Sequence, residues 1–213
     1  MIRTSLWITV LLVSTLNCGG SPRTVVFAGD SLTYNMQGYW QQTMPGDSRY
    51  FINEGVNGNT SVDLLARFQK DVVSQNATVV HILIGTNDSF DDIKYGSIPL
   101  EVTEQNISSM ITMAQAARKR VVLATVPPTM LNYPDAATAI ATNQHIRLLN
   151  DWIRSEAAAQ KLGLADYYAV LVDNGYLNPT YCIDGHVHLN ELGYQQMAPL
   201  TLRAIAASHS PES

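Results

Sequence analysis

The stretch YCIDGHVHLNELGY, residues 181 to 194, sets one carboxylate, Asp184, and two imidazoles, His186 and His188, within five residues. A carboxylate that accepts the N–H of an imidazole fixes its tautomer, and the other ring nitrogen can then take a proton from a nucleophile. A serine hydroxyl is the natural recipient of such help, because it attacks poorly until a neighbouring base removes its proton. Spacing alone lets Asp184 orient either His186, two residues on, or His188, four residues on.

Further upstream, Gly29-Asp30-Ser31-Leu32 closes an apolar run and puts a serine on the turn from strand into helix, where backbone N–H groups converge. Taken alone, Ser31 suits a surface turn as well as a nucleophile. Gly58, within Gly55-Val56-Asn57-Gly58-Asn59-Thr60, lets a bare backbone N–H come close to a substrate atom, or simply serves the turn. Asn87, in Gly85-Thr86-Asn87-Asp88, offers a side-chain amide donor.

These residues need a scaffold that brings them to one edge. From residue 24 onward, strand-like runs TVVFAGDS, YFINEGV, TVVHILIGTND, RVVLATVPP and LADYYAVL alternate with helix-period segments, which predicts a parallel sheet wrapped by helices on both faces. Ile107, Met110, Ile111, Ala114 and Ala117 form one apolar helical stripe; Leu148, Leu149, Trp152 and Ile153 form another. Both read as core. Thr60 with Asp63 marks a helix start and Lys161-Leu162-Gly163 a helix stop. In an open α/β sheet ligands bind outside the carboxyl ends of the strands, and Ser31, Gly58 and Asn87 follow three of the runs there.

In this order and at these strand ends, the four blocks resemble the GDSL family of esterases and lipases, also called SGNH hydrolases, over residues 24 to about 205. The resemblance implies a three-layer α/β/α sandwich around a five-stranded parallel sheet, a flavodoxin-like SGNH hydrolase fold. It implies Ser31 as nucleophile, the Ser31 and Gly58 N–H groups with the Asn87 amide as oxyanion hole, and Asp184 and a histidine as the rest of a triad. The family's usual last block is Asp, two residues, His. Here neither histidine fits that spacing, but Leu189-Asn190-Glu191-Leu192-Gly193-Tyr194 continues from His188 as the family does into its last helix, with Asn190 as N-cap. His188 is therefore the expected base, and one extra residue is expected to be absorbed by a bulge at Gly185.

The expected chemistry is carboxylic ester hydrolysis through an acyl-enzyme, without a cofactor. The rivals are a thioesterase or lysophospholipase acting on longer acyl chains, and a catalytically silent binding protein. Tyr34, Met36, Tyr39 and Trp40 after Ser31, Phe90, Asp91, Asp92 and Tyr95 after Asn87, and Met130 and Tyr133 after the fourth strand are expected to wall the site. Aromatics mixed with acids suit a small-molecule or glycan ester with a short acyl group and disfavour anionic substrates. His81 reads as a core histidine, and Asp30 and Asp88 as braces for the loops around the site. No third or fourth ligand stands near His186 and His188 at metal-binding spacing.

Composition bounds the remaining readings. Of the 213 residues 46% are hydrophobic and 15% charged, as in ordinary globular proteins, and a net charge of −5 provides no basic surface for nucleic acid. Arg3 and the apolar run Leu6 to Leu16 read as a secretory leader over residues 1–18, too short to span a bilayer, so no transmembrane helix is expected in the mature chain. Cys18, followed by Gly19, Gly20, Ser21 and Pro22, resembles the lipid-modified cysteine and tether of a bacterial lipoprotein, with residues 19–23 as the tether; simple cleavage is the alternative, since Asn17 is larger than the usual preceding residue. Residues 24–213 are then one domain, working outside the cytoplasm, either secreted, periplasmic or lipid-anchored. Asn-x-Ser/Thr triplets at Asn59, Asn76, Asn87 and Asn106 read as chance occurrences.

Overall fold

The computed structural model describes residues 24–43, 51–90 and 98–208, the side chains of residues 40–43 excepted. The leader and Cys18, together with Asp91, Asp92, Tyr95 and the side chain of Trp40, lie outside the described residues.

Five strands, β1 (Val25–Gly29), β2 (Phe51–Gly55), β3 (Val79–Leu83), β4 (Arg120–Ala124) and β5 (Gly163–Ala165), pair in parallel in the order β2-β1-β3-β4-β5. Their Val, Ile and Leu side chains alternate between two cores, as a sheet covered on both faces requires. Val25, Phe27, Val79, Leu83 and Val122 face α1 (Ser31–Thr43), α5 (Tyr167–Leu171) and α6 (Glu191–Ala207). Val26, Ala28, Val80, Ile82 and Leu123 face α2 (Ser61–Phe68), α3 (Leu100–Ala116) and α4 (Ala136–Ala159). This is the expected three-layer sandwich. The chain winds from β1 outward to β2 and then back across β1 to β3, so a topological switch lies at the carboxyl end of β1, where crevices form.

Several local expectations hold. Thr60 caps α2 by a reciprocal box with Asp63: the Thr60 hydroxyl accepts from the Asp63 N–H at 3.3 Å, and the Thr60 N–H donates to the Asp63 carboxylate at 2.9 Å. His81 is fully buried in β3, 2.8 Å from the Tyr167 hydroxyl, and burial pushes its pKa down to about 3, so it stays neutral in the core.

Others are corrected. The run LADYYAVL is a strand only to Ala165; beyond it Asp166 accepts from Arg154 and from the Thr125 hydroxyl, and the chain turns into α5, which buries Tyr167 and Leu171 four residues apart on one face. Leu148 is half exposed and Ala117 sits on the exposed C-cap of α3, so each apolar stripe is one residue narrower than its sequence pattern. The stop after α4 is made by Lys161, at φ +55°, with the Leu162 N–H reaching back to the Ala157 carbonyl at 2.8 Å. Gly163 instead lets β5 press against α6, since a Cβ there would stand 2.6 Å from the Ala204 carbonyl oxygen. No helix among the described residues is long and apolar enough to cross a membrane.

Candidate active site

β1 ends at Gly29, and Ser31 is the first residue of α1, which places its hydroxyl at the switch point beside the helix N-terminus. The turn is held by Asp30, whose carboxylate accepts the Leu32 N–H at 2.9 Å. Asp30 is fully buried; desolvation, with nearby Asp88 adding to it, raises its pKa to about 7 against the lowering effect of that hydrogen bond. Asp88 braces the next two elements, accepting from the Ser61 N–H at the start of α2 and from the Thr103 hydroxyl of α3. Both acids therefore do what their positions suggest.

The loops expected to carry the donors follow β2 and β3. Gly58 sits at φ +76°, a conformation that strains any L side chain. Asn87 spends one amide hydrogen on the Asn59 carbonyl at 2.8 Å, which fixes the side chain and leaves the other hydrogen to donate elsewhere. One residue that the sequence reading missed binds this frame together. Arg67 of α2 donates to the Gly29 carbonyl (3.0 Å), the Glu54 carbonyl (2.9 Å) and the Asn59 side chain (2.7 Å), tying the ends of β1 and β2 to the Gly58 loop. An arginine in an amphipathic helix carries no sequence signal for that task.

Asp184, His188 and Ser31 form one continuous chain of polar contacts. His188 Nδ1 lies 2.5 Å from Asp184 Oδ2, and His188 Nε2 lies 3.0 Å from Ser31 Oγ. The carboxylate acceptor places the proton on Nδ1 and leaves Nε2 free to accept from the serine. Asp184 Oδ1 meanwhile accepts the backbone N–H groups of His186 (2.8 Å), Val187 (3.1 Å) and His188 (3.2 Å), while the Cys182 thiol approaches it at 3.4 Å. Partial burial pushes this carboxyl up, but the His186 N–H, the His188 ring and the thiol outweigh it and bring its pKa down to about 2.

Gly185 takes φ +77°, and the loop is pinched shut below by the pairing of Cys182 with Leu189 and by the Ile183 N–H on the His188 carbonyl at 3.0 Å. Asn190 caps α6 through the Gly193 N–H. His186 is spent differently: its Nδ1 is 3.9 Å from Asp184, beyond a hydrogen bond, and its ring stacks on Tyr133 with centroids 3.8 Å apart.

The expected walls are partly rearranged. What reads as a loop after Ser31 is helix α1; Met36 points into the core and Tyr39 stacks on Tyr194, leaving Tyr34 exposed. Met130 also packs against the core, whereas Phe90 meets Tyr133 edge to face at 5.7 Å.

A hydroxyl, imidazole and carboxylate in series, at the carboxyl edge of a flavodoxin-like parallel sheet and flanked by N–H donors, define the SGNH class of hydrolases. Residues 27–196 match the family model described as the GDSL-like lipase/acylhydrolase family, and the chain belongs to that family. The crystal structure of a GDSL-like lipase from Bacteroides thetaiotaomicron is 32% identical, with a TM-score of 0.75 over 85% of this chain and 87% of the other. The structure of an acetylxylan esterase from Geobacillus stearothermophilus shares the fold, at 23% identity and a TM-score of 0.65 over 87% of this chain and 95% of its own. By sequence, an acetylxylan esterase of the same organism is 32% identical over 79 residues, 35% of this chain; the match spans 36% of that curated relative's length.

Proposed function

We propose that the protein hydrolyses carboxylic esters through an acyl-enzyme on Ser31, preferring acetyl or similarly short acyl groups carried on a carbohydrate. The observation that carries this reading is the unbroken contact chain from Asp184 through His188 to Ser31 Oγ. Ser31 Oγ attacks the ester carbonyl while its proton passes to His188 Nε2, and Asp184 stabilises the imidazolium. The N–H groups of Ser31 and Gly58 and the free amide hydrogen of Asn87 receive the oxyanion, a contribution of several kcal/mol in such sites. The imidazolium then gives its proton to the leaving alcohol oxygen. Water repeats the sequence in reverse and frees the acid.

Support for a short acyl group comes from Phe90, Tyr133 and His186, whose rings meet in series between the loops after β3 and β4 and the loop of His188. A long acyl chain would need an apolar trough there. The acetylxylan esterase relative points the same way. Fluorophosphonate labelling tests the nucleophile: Ser31 should be modified in the native protein, and a silent binding protein would hardly react. Rates on p-nitrophenyl acetate, butyrate, octanoate and palmitate test the acyl group, and a maximum at octanoate or beyond would establish the thioesterase or lysophospholipase reading instead. We further place its work outside the cytoplasm, on the strength of the apolar leader before Cys18. The mass of the mature N-terminus checks this, a lipid-modified Cys18 marking an anchored form and a bare terminus a secreted one.

A further inference from the structure

An open groove of about 620 Å³ lies between α1 and the loop that carries His188. Asn35 and Gly38 line one wall, on the face of α1 that Ser31 shares at i, i+4 and i+7. Ile183 and Leu189, immediately beside Asp184 and His188, make the other. Each wall is thus built from an element that also carries a member of the contact chain. Tyr34, Gln37 and Tyr39 complete the lining, and Tyr34 and Ile183 are 52% and 64% exposed.

We propose that this groove is the subsite for the alcohol half of the ester and that its occupant is a glycan. The inference rests on the esterase reading above. When the tetrahedral intermediate collapses, the leaving oxygen must reach His188 Nε2, so the alcohol half lies along the wall that bears His188. The lining then selects its chemistry. Tyr34 and Ile183 present apolar faces suited to the C–H face of a sugar ring, and the amides of Asn35 and Gln37 supply donors and acceptors for hydroxyls. A hydrocarbon chain laid in the same groove would desolvate both amides without giving them partners, which is costly. Among the described residues no charged side chain lines it, which fits a neutral ligand. The volume lies within the range that holds small ligands, about 300–1,000 Å³.

Gly38 makes the test clean. A Cβ built there meets nothing within 4 Å, so a large side chain would fill the groove rather than collide with the fold, and a glycine inside a helix is already a poor helix former. For Gly38→Phe, the ratio of kcat/KM on O-acetylated xylotriose to kcat/KM on ethyl acetate should fall about 10- to 200-fold. Asn35→Leu, which keeps volume but removes the amide, should lower the same ratio and serves if the phenylalanine variant does not fold. An unchanged ratio in a folded variant overturns the glycan subsite. A selective loss on ethyl octanoate overturns it in favour of an acyl groove. If the wild type hydrolyses neither acetate, the esterase reading itself fails.

Discussion

Asp184 divides its two carboxylate oxygens between His188 and the backbone: Oδ2 holds the ring at 2.5 Å, while Oδ1 gathers three successive N–H groups between His186 and His188. One side chain thus shapes the loop and orients the base. The hydrogen bonds that stabilise the anion also make it dependable, because a carboxyl with a pKa near 2 stays ionised across the range in which ester hydrolysis is measured.

The two histidines should separate sharply. His188→Ala removes the group 3.0 Å from Ser31 and should lower kcat on p-nitrophenyl acetate about 10⁴- to 10⁶-fold. His186→Ala removes only a ring stacked on Tyr133 and should retain most of the turnover. Comparable losses in two variants with native circular dichroism would contradict the assignment.

Asp184→Asn should cost about 10⁴-fold in kcat with little change in fold. Its carbonyl oxygen can still collect the three N–H groups, but the amide nitrogen then faces His188 Nδ1 and forces the proton to Nε2. That tautomer cannot accept from Ser31. Steady-state kinetics alongside thermal unfolding checks both halves, and an active Asn variant would show that tautomer control is dispensable here.

Asn87→Ala removes the proposed oxyanion donor and should reduce kcat about 10²- to 10³-fold with a smaller change in KM. The companion change Asn59→Ala keeps the backbone carbonyl that anchors the Asn87 amide but removes the Arg67 contact to the Gly58 loop, so a loss it causes reports on that loop and not on the Asn87 amide. A defect of Asn87→Ala confined to KM would make it a ground-state contact.

Asp30 predicts a pH dependence of stability. Its folded pKa, about 7, lies above the ordinary 3.8, so the folded chain keeps a proton that the unfolded chain releases between those values. Below about pH 4 both states are protonated and nothing is lost; stability falls as pH rises toward 7, and the full loss is present above it. Asp30→Asn keeps an acceptor for the Leu32 N–H and removes the titration. Denaturant unfolding from pH 4.5 to 8.5 should show wild type losing ground to the variant by up to about 1.4 kcal/mol per pH unit, whereas parallel profiles would refute the buried-acid account.

The sandwich was legible because its signals are local and repeated. Val25 to Gly29, Val79 to Leu83 and Arg120 to Ala124 are short apolar runs buried on both faces, and the α3 stripe recurs at three and four residues; such patterns follow from strand and helix geometry alone. The run LADYYAVL misled because Tyr and Val suit strands, while Asp166 binding Arg154 and Thr125 ends the strand after Ala165. Met36 and Tyr39 misled for a related reason: in a loop they would face a ligand, but on α1 the helical period turns them toward α6 and the core.

What the sequence determined by itself were the residue types and their order: a serine after the first strand, a glycine and an amide after the second and third, and an acid with two histidines before the last helix. It also determined the tolerance for an extra residue, since Gly185 alone in that loop can adopt φ +77° without strain. Only the tertiary structure decided which imidazole meets Ser31, because the two residues stand 157 positions apart and their distance depends on how α6 packs against α1. The same holds for Arg67, three of whose contacts join elements from residue 29 to residue 59, and for the groove, whose walls come from opposite ends of the chain. Periodicity and turn chemistry act over a few residues, whereas hydrogen bonds and cavities between distant elements arise only when the sheet has set their separation.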